Sequence, residues 1–446
     1  MTASPLPTAA AGCATPRVRA GRIVADVAGR LADPRSVVAV ETDPGNVDEV
    51  PGRPARSPWT RLGLGKGHPG VALLFAELAH SGPAHRATAH RHLSAAVSGV
   101  AAGARSGLFG GAAALAFAAC AARRGPRDYA ALLEHADTVV LSQWEAVFAA
   151  EDERLGAGLP GVRMHRYDLI SGAAGLGRYL LLRRDRHHEA LSDVLAYLVR
   201  LTEPVRVDGH TVPGWWVNGT LTDEPDGSHP RGHFNLGLAH GIPGVLALLA
   251  LAREADVRVP GQDGAITRVA EWVLRWQGDG LQWPAAVAFE EHVALGGTPP
   301  AVGRTAWCYG TPGVARALYL AGRALRRADW QRTAVDALVA ALADVRGVYE
   351  CALCHGWAGL LQTTWRMARD SGDQRLADDL PRLAAPILDA YDPGLPFGYS
   401  CAAPHIRLAP HRAGFLEGAA GIALALHTYA TDAEPATSWD AALLLC

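Results

Sequence analysis

The sequence has no uninterrupted run of 18 or more apolar residues, so it offers no helix long enough to span a bilayer. Its opening, Met1-Thr-Ala-Ser-Pro-Leu-Pro, lacks the basic and apolar regions of a secretion signal. Ala10-Ala-Gly-Cys13 imitates a lipoprotein cleavage site only faintly, because those flanks are absent. An excess of charge is missing too. Lys and Arg total 42 against 44 Asp and Glu, a net charge of −2, which argues against a nucleic-acid surface. Strand-type patterning is scarce, and its best stretch is His210 to Val217. Cysteines are few and odd in number, seven in all, without the spacing of a disulfide framework. In a cytosolic chain such cysteines are metal ligands or buried thiols, and a cytoplasmic location is the expectation.

What the chain has in quantity is one turn. Gly67-His-Pro-Gly70, Gly107-Leu-Phe-Gly110, Gly172-Ala-Ala-Gly175, Gly241-Ile-Pro-Gly244, Gly310-Thr-Pro-Gly313, Gly356-Trp-Ala-Gly359 and Gly418-Ala-Ala-Gly421 each precede an apolar run. The seven copies are spaced by 40, 65, 69, 69, 46 and 62 residues. Recurrence of this kind marks an array of similar supersecondary units, and uneven spacing marks insertions between them. The runs after the turns are rich in Ala and Leu, which favours helix. The stretches before the next turn read as amphipathic helices, as in Ala334 to Val345 with Val335, Leu338, Leu342 and Val345 at helical spacing. Proline between the glycines in three copies suits a first helical turn.

The expected fold is therefore all-α: seven helical hairpins closed into an α/α toroid, with the glycine-turn helices inside and the more polar helices outside. Val245-Leu-Ala-Leu-Leu-Ala-Leu-Ala is apolar all round, as an inner helix should be. Residues 1–16 read as a mobile segment and residues 17–446 as a single domain with inter-repeat insertions. Closure would bring the N-termini of the inner helices to one end, where they favour anions and thiolates.

Two strings carry the chemistry: Trp307-Cys308-Tyr309-Gly310 and Cys354-His355-Gly356. They supply two thiolates and an imidazole at equivalent turns. Three protein ligands with a fourth position open is the pattern of catalytic zinc. Cys351-Ala-Leu-Cys354-His355 also matches a covalent haem-attachment pattern. That reading needs export and leaves Cys308 unexplained. Cys351 stays open as a substitute ligand, and Cys401 and His405 read as loop or core. His240 stands at the fourth turn and Asp168 near the third. Arg304 lies four residues before Cys308, and Glu417 precedes the seventh turn. Each has a bland role as a cap or packing residue, set against their convergence on one cavity.

With these residues in view, the chain resembles the LanC-type lanthionine cyclases, from about Trp59 to the seventh repeat. The two cysteine strings are the specific part of the likeness, and the glycine turns alone are weaker. The resemblance implies an α/α toroid around one catalytic zinc, with Cys308, Cys354 and His355 as its ligands. It implies His240 as the acid/base residue, with Arg304, Tyr309 and Asp168 around it. Nothing essential to the family pattern is missing. The first two repeats are the least regular, with Gly110 and Gly111 doubled.

No dehydratase-like stretch is attached, so the likeness is to a stand-alone cyclase. Its implied partners are a dehydrated precursor peptide and a separate dehydratase, with membrane association through a biosynthetic complex left open. The implied reaction adds peptide Cys thiolates to dehydroalanine or dehydrobutyrine, closing thioether rings. The alternative is a non-catalytic LanC-like zinc protein that holds glutathione or a partner thiol. A glycosidase would use paired carboxylates and leave the Cys/His set idle. Pro213-Gly-Trp215-Trp216 and Leu281-Gln-Trp283-Pro284 offer either aromatic surface for a peptide or packed loops over the barrel end.

Overall fold

The computed structural model describes residues 15–48, 57, 59–97, 107–219, 229–294, 303–401 and 410–446. Residues 1–14 of the expected N-terminal segment lie outside that set, as does His405. Thr15 caps the helix Pro16–Arg30 through its side chain, accepting the Val18 N–H at 3.4 Å.

The inner layer consists of the helices His68–Leu78, Gly111–Ala122, Ala173–Leu182, Ile242–Glu254, Thr311–Ala324, Trp357–Ser371 and Ala419–Thr431. They are buried along nearly their whole length; Ile242 to Ala252 is one unbroken buried run. The outer helices are His85–Val97, Ala130–Gly156, His188–Leu201, Gln262–Arg275, Ala328–Ala343 and Gln374–Asp389. They bury one stripe each. Gln374–Asp389, for instance, buries Leu376, Leu380, Leu383, Ala384, Ile387 and Leu388, the spacing of an amphipathic helix.

Pairing follows loop length. Connectors from an inner helix to the outer helix after it run two to seven residues, whereas those from an outer helix to the next inner helix run 13 to 40. Short connections force antiparallel neighbours, so most inner helices pack principally on the helix that follows. The structural hairpin is thus glycine turn, inner helix, outer helix. The last inner helix has no such successor. Pro16–Arg30, from the other end of the chain, packs on it instead and closes the outer layer.

Closure of the inner layer is written in backbone hydrogen bonds. Leu64 N–H donates to Phe109 O, Phe109 to Ile170 O, Leu169 to Ala239 O and Ala239 to Cys308 O. Cys308 then donates to Cys354 O, Cys354 to Leu416 O, and Leu416 to Gly65 O, all at 2.9–3.3 Å. The seven turns form one continuous ring, each satisfying a polar group of its neighbour, as buried backbone must.

The glycines make this ring compact. In six repeats the first glycine caps the inner helix and the second lies in its first turn. A Cβ on the second would sit 1.8 Å from Phe415 O at Gly421 and 1.9 Å from Leu353 O at Gly359. The second repeat departs from this register. Gly110, not Gly107, is its cap. Gly107 instead closes a turn with Gly110, where a Cβ would come 2.5 Å from Ser171 Cα.

The lumen is filled by residues 439–446. Trp307 Nε1 donates to Leu443 O at 2.9 Å, and Arg316 Nε to Leu445 O at 2.9 Å. Gln362 Nε2 and Arg366 Nε donate to Asp440 Oδ2 at 2.8 and 2.6 Å. Inner helices of the fifth and sixth repeats therefore grip one short segment.

The long insertions meet in a two-stranded antiparallel ladder, His233–Asn235 with Ala286–Ala288. The stretch from His210 contributes a hairpin strand, His210–Val212, and Val217 bridges to His233. Trp215 and Trp283 are fully buried and Trp216 nearly so. Trp283 Nε1 donates to Val273 O at 2.8 Å. These tryptophans are packing under the insertions, not a surface for a peptide. No helix among the described residues is long and apolar enough to cross a membrane.

Candidate metal centre and its surroundings

The hydrogen bond from Cys308 N–H to Cys354 O, 3.2 Å long, locks the fifth turn to the sixth and brings the two thiols together. One ligand atom from each of Cys308, Cys354 and His355 lies within 4.8 Å of the other two, the only such Cys/His/carboxylate group of three among the described residues. Zinc with Zn–S near ~2.3 Å and Zn–N near ~2.0 Å spans tetrahedral edges of about 3.5–3.8 Å between these donors, which small side-chain adjustments reach from here. The donor set fits zinc in chemistry as well as in span: two soft sulfurs, one imidazole, and no fourth residue among those described. Cys351 is not in the cluster. Its Sγ lies 4.0 Å from Pro386 O, and burial pushes the thiol up to about 12.

His355 is held on its far side. Its Nε2 lies 2.5 Å from Glu350 Oε1, which leaves Nδ1 as the nitrogen directed at the sulfurs. Burial pushes the imidazole down, but Cys308 and Glu350 outweigh it and lift its pKa to about 9. Burial likewise opposes the Glu350 charge, and the hydrogen bond to His355 overcomes it, holding the carboxyl below its ordinary value. An acidic partner behind a histidine ligand fixes its tautomer and ring orientation. The Cys308 thiol is held well below its usual range, first by the hydrogen bond from Cys354 and, against burial, by His355 and the charge of Arg304. Cys354 is pushed the opposite way by the same contact. Two thiols this close, with His355 and Arg304 acting on Cys308, share a proton unevenly.

Beside this cluster stands a dyad. Ala239 N–H donates to Cys308 O at 3.3 Å, which ties the fourth turn to the fifth, and His240 follows. His240 Nδ1 and Asp168 Oδ2 are 2.7 Å apart. The histidine side chain is 38% exposed and the aspartate 3%. Asp168 Oδ1 accepts the Ser171 N–H at 2.8 Å, so both carboxylate oxygens are engaged and the anion is fixed in place. The Tyr309 ring stacks on His240, centroids 6.1 Å apart at 27°. Its hydroxyl accepts from Asn235 Nδ2 at 3.0 Å, and burial first of all pushes its pKa up to about 12. Arg304 is exposed, and its charge reaches Cys308.

The turns therefore gather Cys308, Cys354, His355, His240, Asp168, Tyr309 and Arg304 on one rim. Glu350 and Asn235 are additions that no motif announced. Cys401 is buried outside the three-ligand group, its Sγ 2.8 Å from Glu417 O, and its thiol also hydrogen-bonds Glu350.

The chain matches the family model described as "Lanthionine synthetase C-like protein" over residues 58–444. It is 26% identical over 312 residues to "Nisin biosynthesis protein NisC" of Lactococcus lactis subsp. lactis, covering 68% of this chain and 72% of that one. Among solved structures, "Nisin cyclase" superposes with a TM-score of 0.74 at 21% identity, covering 96% of this chain and 97% of that one.

Proposed function

The chain belongs to the lanthionine synthetase C-like family, and from that premise we propose that it is a zinc-dependent cyclase of dehydrated precursor peptides. It adds peptide Cys thiolates to dehydroalanine or dehydrobutyrine and so forms lanthionine and methyllanthionine rings. The observation that carries this reading is the adjacency of the Cys308, Cys354 and His355 cluster to the His240–Asp168 dyad on neighbouring turns. The relatives named above, a nisin biosynthesis protein and a nisin cyclase, support it.

Cys308, Cys354 and His355 would hold the ion, with Glu350 setting the imidazole. When bound, zinc supplies a coordination position at which a peptide thiol, ordinarily of pKa near ~8.5, loses its proton and stays nucleophilic. The remaining work falls to the chain. Attack at the β-carbon moves an electron pair toward the carbonyl, and Cα must then receive a proton. Asp168 holds Nδ1 of His240 in its protonated tautomer and stabilises the imidazolium, so Nε2 is the atom that carries the mobile proton. Stacking on Tyr309 fixes the plane of the ring. A positioned acid of this kind contributes typically ~10²–10⁴-fold. Arg304 offsets negative charge at the thiolates. A thiol-binding protein without chemistry has no use for the dyad, which favours the catalytic reading. We place the reaction in the cytoplasm, next to a separate dehydratase that prepares the peptide.

Cyclisation leaves peptide mass unchanged, so the test counts free thiols by alkylation. With zinc-loaded protein and dehydrated peptide, thiols should disappear. His240→Ala should retain zinc and leave them alkylatable. Thiols that persist with the wild-type protein across dehydrated peptides would overturn the assignment.

A further inference from the structure

The ring of turns places one residue in an equivalent position seven times, directly before the cap glycine: Lys66, Phe109, Ser171, His240, Tyr309, His355 and Glu417. Three of these already belong to the site. Lys66 and Glu417 complete the arc on the other side of the thiols. Lys66 Nζ lies 2.9 Å from Glu417 Oε2. Arg412 reaches the same carboxylate oxygen and also pairs with Asp48, so Glu417 is anchored from behind while it holds the lysine. The backbone carries this pair toward the cluster: Leu416 N–H donates to Gly65 O at 3.0 Å, and Cys354 N–H donates to Leu416 O at 2.9 Å. The ammonium side chain is 36% exposed, against 19% for its carboxylate partner.

Electrostatics agree with that placement. Burial and Arg412 draw the Lys66 pKa down, while Asp48 and Cys354 draw it up. The Cys354 thiol feels Lys66 just as the Cys308 thiol feels Arg304. A cation therefore stands at each flank of the thiol pair. His240, on the fourth turn, is at the Arg304 flank; Lys66, on the first, is at the other.

The reaction leaves one demand unassigned. When the thiolate forms its bond to Cβ, the former double-bond pair moves to the carbonyl oxygen of the dehydrated residue. That oxygen is anionic until Cα is protonated and the enolate collapses. His240 is occupied with the Cα proton. We propose that Lys66, held by Glu417, is a further catalytic residue that donates a hydrogen bond to this enolate oxygen. The inference rests on the cyclase reading. No proton leaves Lys66; its charge balances the oxygen until the electron pair returns to Cα.

The test uses full-length zinc-loaded protein and dehydrated peptide, with Lys66→Met, Lys66→Arg and Glu417→Gln. Lys66→Met should keep the wild-type zinc content and bind the peptide within about twofold. Its single-turnover thiol consumption should fall about 10²–10³-fold, the cost of removing one oxyanion donor. Lys66→Arg should restore at least a tenfold part of that loss. Glu417→Gln should lie between wild type and Lys66→Met. A second readout is exchange of the Cα hydrogen of finished lanthionine product in D2O, which reports enolate formation alone. It should fall with Lys66→Met in parallel. A Lys66→Met protein that cyclises and exchanges at the wild-type rate overturns the inference while leaving the cyclase reading intact. Loss of zinc or of peptide affinity in proportion to rate overturns it in favour of a structural role. If the wild-type protein itself leaves the thiols free, the cyclase reading falls and the inference with it.

Discussion

At the scale of residues, the site is a set of ligands whose orientations are set by groups behind them. Glu350 faces His355 from a buried position, and its role is to fix which nitrogen points at the sulfurs. Glu350→Gln keeps the size but loses the anion. Zinc affinity, measured by competition with a chromogenic chelator, should fall about 10–100-fold, the usual effect of removing such a partner. The apo-protein should keep the wild-type thermal unfolding midpoint to within about 1 kcal/mol of stability, which separates a tuning effect from unfolding. Asn235 plays a comparable part for Tyr309: its Nδ2 donates to the Tyr309 hydroxyl, and its Oδ1 accepts the Gly237 N–H at 2.8 Å. Neither residue sits in the repeated turn. Each is brought in by an insertion or by the loop entering the turn, which is why motif spacing singled out the ligands and the dyad and missed their supports.

At the scale of elements, the glycine turn does two jobs. It starts a helix, and it lets that helix press against the preceding loop. Gly421→Ala tests the second job, since the added carbon would meet Phe415 O at 1.8 Å. The helix interior prefers Ala to Gly by about 1 kcal/mol, so an isolated helix would gain. Here the expected outcome is a loss on the order of 3 kcal/mol, read as a lowered Tm. Gly264, in an outer helix with no atom near its Cβ, supplies the control, and Gly264→Ala should be neutral or stabilising. Gly310 differs from the other caps because its φ is +110°, a conformation open to glycine. It follows Cys308 and Tyr309 directly, so the special backbone falls at the metal cluster.

At the scale of the whole molecule, closure depends on contacts between the two ends of the chain. Pro16–Arg30 completes the outer layer, and residues 439–446 fill the lumen. Asp440 is fully buried, and Arg366 and Gln362 hold it ionised against that burial. Asp440→Ala leaves the buried guanidinium only the exposed Glu434 as a carboxylate partner, so it should cost about 3 kcal/mol, seen by thermal unfolding. The contact between the helix Pro34–Glu41 and the loop entering the seventh turn also has a pH signature. Glu41 accepts the Ala413 N–H. Burial pushes its pKa from 4.5 up to about 7, against the Ala413 hydrogen bond and the charges of Arg412 and Lys66. Between those values the folded chain keeps a proton that the unfolded chain has released, so stability falls as pH rises through the window. Glu41→Gln removes this term. Relative to wild type, the variant should gain about 3 kcal/mol between roughly pH 4.5 and pH 7, with the gap closing in acid.

What the sequence determined by itself was the repeat and the chemistry written into it. Glycines at fixed spacing, with Ala and Leu after them, dictate helices that start sharply and pack closely. Cys308 and Cys354 are legible because they occupy matching places in that repeat, as do His240 and His355, while Asp168 stands in the loop entering the third turn. Tertiary structure decided everything that depends on which turns become neighbours. It shifted the second repeat to cap at Gly110, because Gly107 is pressed against Ser171. It buried Trp215 and Trp283, seated Glu350 behind His355 and brought Lys66 round to Glu417. The physical reason is ring closure. A local pattern can state what each turn offers, but only a closed ring of backbone hydrogen bonds fixes which turn each one faces.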